Sequence, residues 1–257
     1  DGQNKWARNM EISRKFVEDV KSKYDYDEWK DTTVSFRTES GANVEITIDQ
    51  AMQLVATAQR ERSNNGQRAK HLSIGGVVID TEAINKAMKK QGKRKGDISA
   101  AWDSLSNRAI QITFEDVDVV SKMLTDAQKG YIKDFVDFLS TQCAVWGNEV
   151  TMEQYGYRQF NESNYFPYIS SELFLTKDPA KAESTILRRA SFTHSLQKNA
   201  NNPLVLTSFT DIALQHMESM CNFNAMTVPL ETLNKIFNYK TESGEGTAPR
   251  SVKAEMK

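Results

Sequence analysis

Cysteine and histidine, the usual carriers of nucleophilic and metal chemistry, are scarce in this chain: two and three residues respectively among 257. Two thiols cannot make a disulfide framework. Cys143 and Cys221 each fall within an apolar helical pattern, which reads as two small buried thiols in a reducing compartment. A bridge between them would need Cα atoms within about 7 Å, and sequence spacing does not establish that. His71, His194 and His216 are scattered, and no HExxH, CxxC or His/Cys ladder surrounds them, so no metal and no cofactor is expected. No apolar run reaches about 18 residues and no charged-then-apolar leader opens the chain, so neither a membrane span nor a signal peptide is expected. Net charge is also nearly absent. With 33 Lys+Arg against 34 Asp+Glu the formal charge is −1, and any attraction to nucleic acid or an anionic surface must be local.

What is present is a long chain with strong helical periodicity. A chain of this length buries roughly three quarters of its unfolded surface, enough for one substantial core or two modest ones. It starts at Asp1 rather than Met, with a polar, uncapped Asp1-Gly2-Gln3-Asn4, as an excised piece of a longer polypeptide or a processed terminus would. Residues 5–24 space Trp6, Met10, Phe16, Val17 and Val20 as one face of an amphipathic helix. Alternation at Val34–Arg37 and Val44–Ile48, around Glu39-Ser40-Gly41-Ala42-Asn43, predicts a β-hairpin. Asp49 then suits a helix N-cap, with a helix to about Arg62 that Ser63-Asn64-Asn65-Gly66 interrupts.

Leu72–Ile79 is β-branched and carries Gly75-Gly76, which reads as a short strand or a tight backbone approach. Ile110, Ile112 and Phe114 alternate like a strand ahead of a short helix from Glu115 to about Met123. Thr125 or Asp126 caps the longest periodic element, from Tyr131 to Trp146, with Gly147 and Asn148 as its C-terminal cap because both tolerate positive φ. Thr151 and Glu153-Gln154 open a further short helix, residues 180–200 fit another, 208–222 is a buried-face helix, and Leu230, Leu233, Ile236 and Phe237 mark one more. The fold class is therefore mainly α: a helical bundle-like domain with a small β-hairpin or short-strand element near the N-terminal third. Residues 1–30 form an N-terminal helix, 31–240 the main helical domain, and 241–257 a flexible tail or linker.

No catalytic residue is assigned. Gly75-Gly76 lacks a GxGxxG or GxxxxGK[ST] context, and Ser73, Ser191 and Ser195 lack a Gly-x-Ser-x-Gly elbow. His216 lies on a core stripe and reads as a buried, hydrogen-bonded imidazole. The carboxylate pairs Glu115/Asp116 and Asp134/Asp137 fall on polar helix faces, where solvation is the ordinary fate. One local charge feature stands out: Lys86, Lys89, Lys90, Lys93, Arg94 and Lys95 form a basic loop that could contact phosphates. No aromatic is interleaved there to stack a base, and exposed Lys-rich loops often serve only solubility.

The other concentration is aromatic. From Trp146-Gly147-Asn148-Glu149 to Asn164-Tyr165-Phe166-Pro167 the chain gathers rings, glycine and asparagine with no acid, base, nucleophile and ligand set among them. The rings of Tyr155, Tyr157, Phe160, Tyr165, Phe166 and Tyr168 read as pins holding an extended segment against the long helix, or alternatively as a docking surface for another subunit.

These motifs, with Ala51-Met52-Gln53-Leu54, Arg60, Ala69-Lys70-His71-Leu72, Gly75-Gly76-Val77, Leu124–Gln128, Lys198–Leu204 and Leu230–Tyr239, resemble segments of the large polyvalent proteins of tailed phages and integrative mobile elements, over about residues 44–240. In those proteins a further glycine is common where Ser73-Ile74 stands here. The resemblance implies a linking module without assigned activity, virion-associated or in the bacterial host cytoplasm, whose partners are other modules of the same chain or phage proteins. It carries no catalytic residue with it. The function expected is a non-catalytic structural or interaction module. The alternatives are a nucleic-acid-binding module using the basic loop 86–95, or an enzyme whose site assembles from distant residues, such as those around His71 or His194.

Overall fold

The computed structural model describes residues 2–65, 76–79, 108–167 and 204–239. Among these the chain is mainly α, with the small antiparallel hairpin in its N-terminal third that the alternation predicts. The basic loop, His71, His194, Gly75, Tyr168, the three serines and the expected helix over 180–200 lie outside the described residues.

Several helices begin with the same device. Helix α1 runs Gly2–Lys23 and α2 is the single turn Tyr26–Trp29; strands β1 (Thr33–Arg37) and β2 (Asn43–Thr47) follow, then α3 (Ile48–Asn65). Its cap is Thr47, not Asp49: the Gln50 N–H donates to Thr47 Oγ1 at 3.2 Å while the Thr47 N–H donates to Gln50 Oε1 at 3.0 Å. Asp49 falls one residue inside the helix because Thr47 is already in place. The same reciprocal box starts α4 (Phe114–Met123) with Thr113 and Asp116, and α5 (Asp126–Phe138) with Thr125 and Gln128. Asp116 is therefore buried, not solvated, and its carboxylate also accepts from the Glu39 N–H at 2.8 Å, tying the hairpin turn to α4.

Three sequence expectations fail here for identifiable reasons. Ile110–Phe114 is not a continuous strand: Ile110, which bridges Val77, and Thr113 are isolated bridge residues, and Thr113 also caps α4 and takes Phe114 into the helix. The long helix does not stop at Gly147. It passes from α5 through a π-helical turn, Leu139–Cys143, into α6 (Ala144–Tyr155), so Thr151, Glu153 and Gln154 belong to its last turns and open nothing new. Nor are 208–222 and 230–237 separate. They form one helix, α7 (Phe209–Asn238), with Pro229 inside it.

Strands β3 (Val77–Val78) and β4 (Leu204–Val205) pair in parallel. The carbonyl of Gly76, a residue at φ 104°, extends this joint by accepting from the Leu204 N–H at 2.9 Å. A Cβ there would sit 3.2 Å from the Ile110 carbonyl oxygen, so the tight-approach reading holds for Gly76.

α1 packs along α7 in the antiparallel sense, with Asn9 on Asn224 and Ser13 on Cys221, and α6 lies beside both. Where α2 and α5 meet the start of α7 the core is aromatic. Tyr131 stacks on Tyr26 at 5.0 Å, Phe135 meets Phe209 edge-on at 5.5 Å, and all four are buried. Cys143 and Cys221 are both free and buried, and burial pushes the Cys143 thiol well up and that of Cys221 to about 11. No described helix is long and apolar enough to cross a membrane.

Candidate functional site

The Trp146–Pro167 stretch is a helix followed by a return segment that folds back over it. Gly156 makes the reversal possible: at φ 77° it closes α6 with its N–H on the Met152 carbonyl at 3.0 Å. Residues 157–167 then run without regular structure, and their backbone groups find partners on side chains from other elements.

Two residues of the Trp-Gly-Asn-Glu motif serve that return, and the other two fasten α6 to α7. Gly147 admits the segment: a Cβ there would meet the Phe160 ring at 2.6 Å and Met220 Cε at 2.7 Å. Asn148 brackets Phe160, donating from Nδ2 to its carbonyl at 2.8 Å and accepting from its N–H at 2.9 Å, so one side-chain amide replaces a strand partner. The Trp146 carbonyl accepts from Asn224 Nδ2 at 2.7 Å, and Glu149 Oε2 accepts from the same nitrogen at 3.0 Å. Asn224 in turn accepts from Asn9 at 2.9 Å, so a fully used amide links α6, α7 and α1. Burial pushes the Glu149 carboxyl up, but the bonds from Asn224 and Lys5 outweigh it and hold it below the usual carboxylate range.

The far end of the segment is held from α3. Arg60, 5 % exposed, grips Glu162 with two parallel bonds, Nε to Oε1 at 2.8 Å and Nη2 to Oε2 at 3.0 Å. Its Nη1 donates to the Phe166 carbonyl at 3.1 Å, and its plane lies over the Tyr165 ring at 4.6 Å. Asn164 takes the left-handed conformation at φ 56° and donates to Ser63 Oγ at 3.0 Å. The Tyr165 N–H donates to Ser140 Oγ at 3.1 Å, on the π-helical turn. The Phe166 ring, fully buried, stacks on Phe209 at 4.7 Å. Pro167 follows it, and a residue before proline avoids the α region, which keeps Phe166 extended.

The ring-pin expectation therefore holds for Phe160, which lies against Gly147 of the long helix, whereas the rings of Tyr165 and Phe166 are anchors that meet α3 and α7 instead, at Arg60, His216 and Phe209. It fails outright for Tyr155 and Tyr157, which are 48 % and 56 % exposed and tilt against each other at 6.2 Å on the outer side of the Gly156 turn.

Between the segment, the π-helical turn and α7 there is a cavity of about 20 Å³, lined by Ser140, Cys143, Gln159, Glu162, Tyr165 and His216 among others. That volume is enough for about one water. Most of the polar side chains around it are engaged: Tyr165 lies at 5.1 Å on the His216 ring, Ser140 accepts from the Tyr165 N–H, and Glu162 is gripped by Arg60, whereas Gln159 donates to Tyr157 but keeps its Oε1 buried without a hydrogen-bond partner. Burial, with the Arg60 charge nearby, lowers the His216 pKa to about 3, so the imidazole is neutral near pH 7. The same cavity wall carries the raised Cys143 thiol. A neutral His and a protonated Cys do not make an activated pair. Among the described residues no group of His, Cys, Asp and Glu could hold a metal ion.

Sequence reasoning missed Gln53, Arg60 and Asn224 as site-forming residues. Gln53 repeats the bracket of Asn148: fully buried, it donates to the Val205 carbonyl at 3.0 Å and accepts from the Thr207 N–H at 2.8 Å. A polar amide at a helix position that should be apolar is the one sequence signal that could have found it. Comparison of the chain with protein-family models, curated proteins and solved structures gives no match.

Proposed function

We propose that this chain is a non-catalytic structural and interaction module of a phage or mobile-element multidomain protein, as its resemblance to the polyvalent proteins implies. One observation carries the reading: the described contacts of the Trp-Gly-Asn-Glu and Asn-Tyr-Phe-Pro motifs tie one element of the chain to another. Gly147 makes room, Asn148 and Arg60 hold the two ends of the segment, and Phe166 fills the core. The cavity beside them takes about one water. Of its neighbours, His216 is neutral and Cys143 protonated near neutral pH, which supports a bracing role over a chemical one.

The test is thermal unfolding of the full chain, with and without millimolar Zn²⁺ or Mg²⁺-ATP, for the parent and for Tyr165→Ala. The reading expects a melting point several degrees lower in Tyr165→Ala and no shift with either additive. A stabilisation by Mg²⁺-ATP or Zn²⁺ that disappears in His216→Gln would overturn it.

A further inference from the structure

The hairpin uses only half of its main-chain hydrogen-bonding groups, and its register shows which half. Thr38 and Ala42 close the turn, with the Thr38 N–H on the Ala42 carbonyl at 2.9 Å, and at the other end the Ile48 N–H donates to the Thr32 carbonyl at 2.8 Å. Bonded and unbonded pairs alternate along an antiparallel ladder, so Phe36/Val44 and Val34/Ile46 exchange bonds between these ends. The N–H and C=O of Thr33, Ser35 and Arg37 therefore point outward from β1, and those of Asn43, Glu45 and Thr47 outward from β2.

The two outer edges differ. On β2 the Thr47 N–H is taken by Gln50 Oε1 at 3.0 Å, and the strand runs straight into α3. On β1 no main-chain group of Thr33, Ser35 or Arg37 has a hydrogen-bond partner among the described residues, and all three residues are exposed. Proline, lysine and a bulge, which shield many edges, are absent from β1. Beside this edge the surface is apolar. Val34 and Phe36 turn to the inner face of the sheet, and α4 packs next to β1, tied to the hairpin turn by Asp116. Val119 and Met123 follow Asp116 on the same side of α4 and are 43 % and 40 % exposed.

We propose that the β1 edge is a docking site for an extended peptide segment of another polypeptide, added antiparallel to β1 as a third strand. Donors and acceptors that repeat every second residue along an extended line are complementary to another extended main chain. A helix keeps those groups paired within itself, and an apolar surface has none to offer. The pairing also fixes the side chains. Residues set opposite Thr33, Ser35 and Arg37 face the polar outer side, and the two between them face inward, toward Val119 and Met123. The segment recognised is therefore five residues long with apolar side chains at its second and fourth positions, and it makes up to about six main-chain bonds. The site gives the interaction module of the previous section its surface and rests on that reading only in this sense, since the brace around Asn148 and Arg60 plays no part in it.

Amide chemical shifts of the isotope-labelled full chain, titrated with acetyl-Thr-Val-Thr-Val-Thr-amide, test the proposal. The amides of Thr33, Ser35 and Arg37 should shift together, with half-saturation on the order of 1 mM for so short a probe. Methylating the nitrogen of the central threonine, which faces Ser35, should weaken binding at least about ten-fold, whereas methylating either valine nitrogen, which faces away, should change it by less than about two-fold. Ser35→Pro removes a free N–H without touching the β1–β2 ladder, so it should keep the parent's melting point and lose binding by a similar factor; Glu45→Pro, on the opposite edge, should bind as the parent does. No shift at about 10 mM peptide, equal losses from threonine and valine methylation, or shifts centred on Asn43 and Glu45 would each overturn the proposal. So would a doubling of mass by the chain alone that Ser35→Pro abolishes, because the edge would then belong to a second copy. The methylated peptides are titrated into the parent protein, so the proposal stays falsifiable if Ser35→Pro does not fold. None of these outcomes touches the brace, whose own test is unfolding of Tyr165→Ala.

Discussion

The two halves of α7 carry similar densities of apolar side chains and meet opposite fates. From Phe209 to Ala225 the helix is enclosed by α1, α3, α6 and the return segment, and its polar residues His216 and Asn224 are enclosed with it. From Pro229 to Asn238 all residues but Glu231 are exposed. What separates the halves is the cover, and the cover is fixed by polar contacts. Asn224 fastens α1 and α6, Arg60 and Asn148 fasten the return segment, and Phe166 closes on Phe209 only because that segment is held. Hydrophobicity supplies the driving force over the whole helix, whereas directional hydrogen bonds decide which half it acts on.

The widest separation between the halves comes from truncating large apolar side chains. Phe166→Ala, in the ring that covers the first half, should lower stability by about 3–5 kcal/mol in urea unfolding, since the site is completely buried. A loss under about 1 kcal/mol would break the comparison.

Acidity should act on the enclosed half alone. The His216 pKa is lowered from 6.5 to about 3. Between those values the unfolded chain takes up a proton that the folded chain refuses, so stability rises with pH across that window and falls on acidification by up to about 1.4 kcal/mol per unit. Asp49 works the other way: it is buried beside Thr210, 3.3 Å from its hydroxyl, and burial raises its pKa. Its contribution is present below the unfolded carboxylate pKa and is lost as pH rises through the raised value. His216→Gln removes only the first effect. Its unfolding free energy should therefore depend less steeply on pH than the parent's between about 4 and 6, and equal slopes would contradict the buried neutral imidazole.

Gly147→Ala sets two effects against each other. A helical Ala gains about 1 kcal/mol over Gly, but its Cβ would meet the Phe160 ring at 2.6 Å, and overpacking costs about 1–3 kcal/mol. The clash should win because the ring is wedged against Phe223, giving a net loss of about 1 kcal/mol by denaturant unfolding. A stabilised variant would mean that the return segment yields easily. Smallest of all, Leu233→Asn in the bare half should change monomer stability by less than about 0.5 kcal/mol.

How legible this was in the sequence follows from the same contrast. Periodicity and local capping were readable, because they involve neighbours: α1, the hairpin, α4, the start of α5 and the first half of α7 are where the spacing puts them. Gly147 and Asn148 misled because each suits a helix end locally, whereas here one is inside a helix to admit Phe160 and the other to hold it. That partner lies 12 residues on, across a turn. Pro229 likewise looks like a boundary, yet α7 passes through it. Arg60 was legible only as part of a resemblance, since Glu162 and Phe166 are 102 and 106 residues away from it in the chain. The rings of Tyr165 and Phe166 were foreseen as anchors; the polar side chains that position them were not.

Arg60→Ala tests the central claim most directly, because Arg60 joins α3 to Glu162, the Tyr165 ring and the Phe166 carbonyl at the far end of the segment. Removing it takes the two-point grip from the partly buried Glu162 carboxylate and loosens the segment. Urea unfolding should show a loss of about 3–5 kcal/mol with the denaturant slope unchanged. An unfolding midpoint equal to the parent's would contradict the account, because the signature would then be holding nothing together.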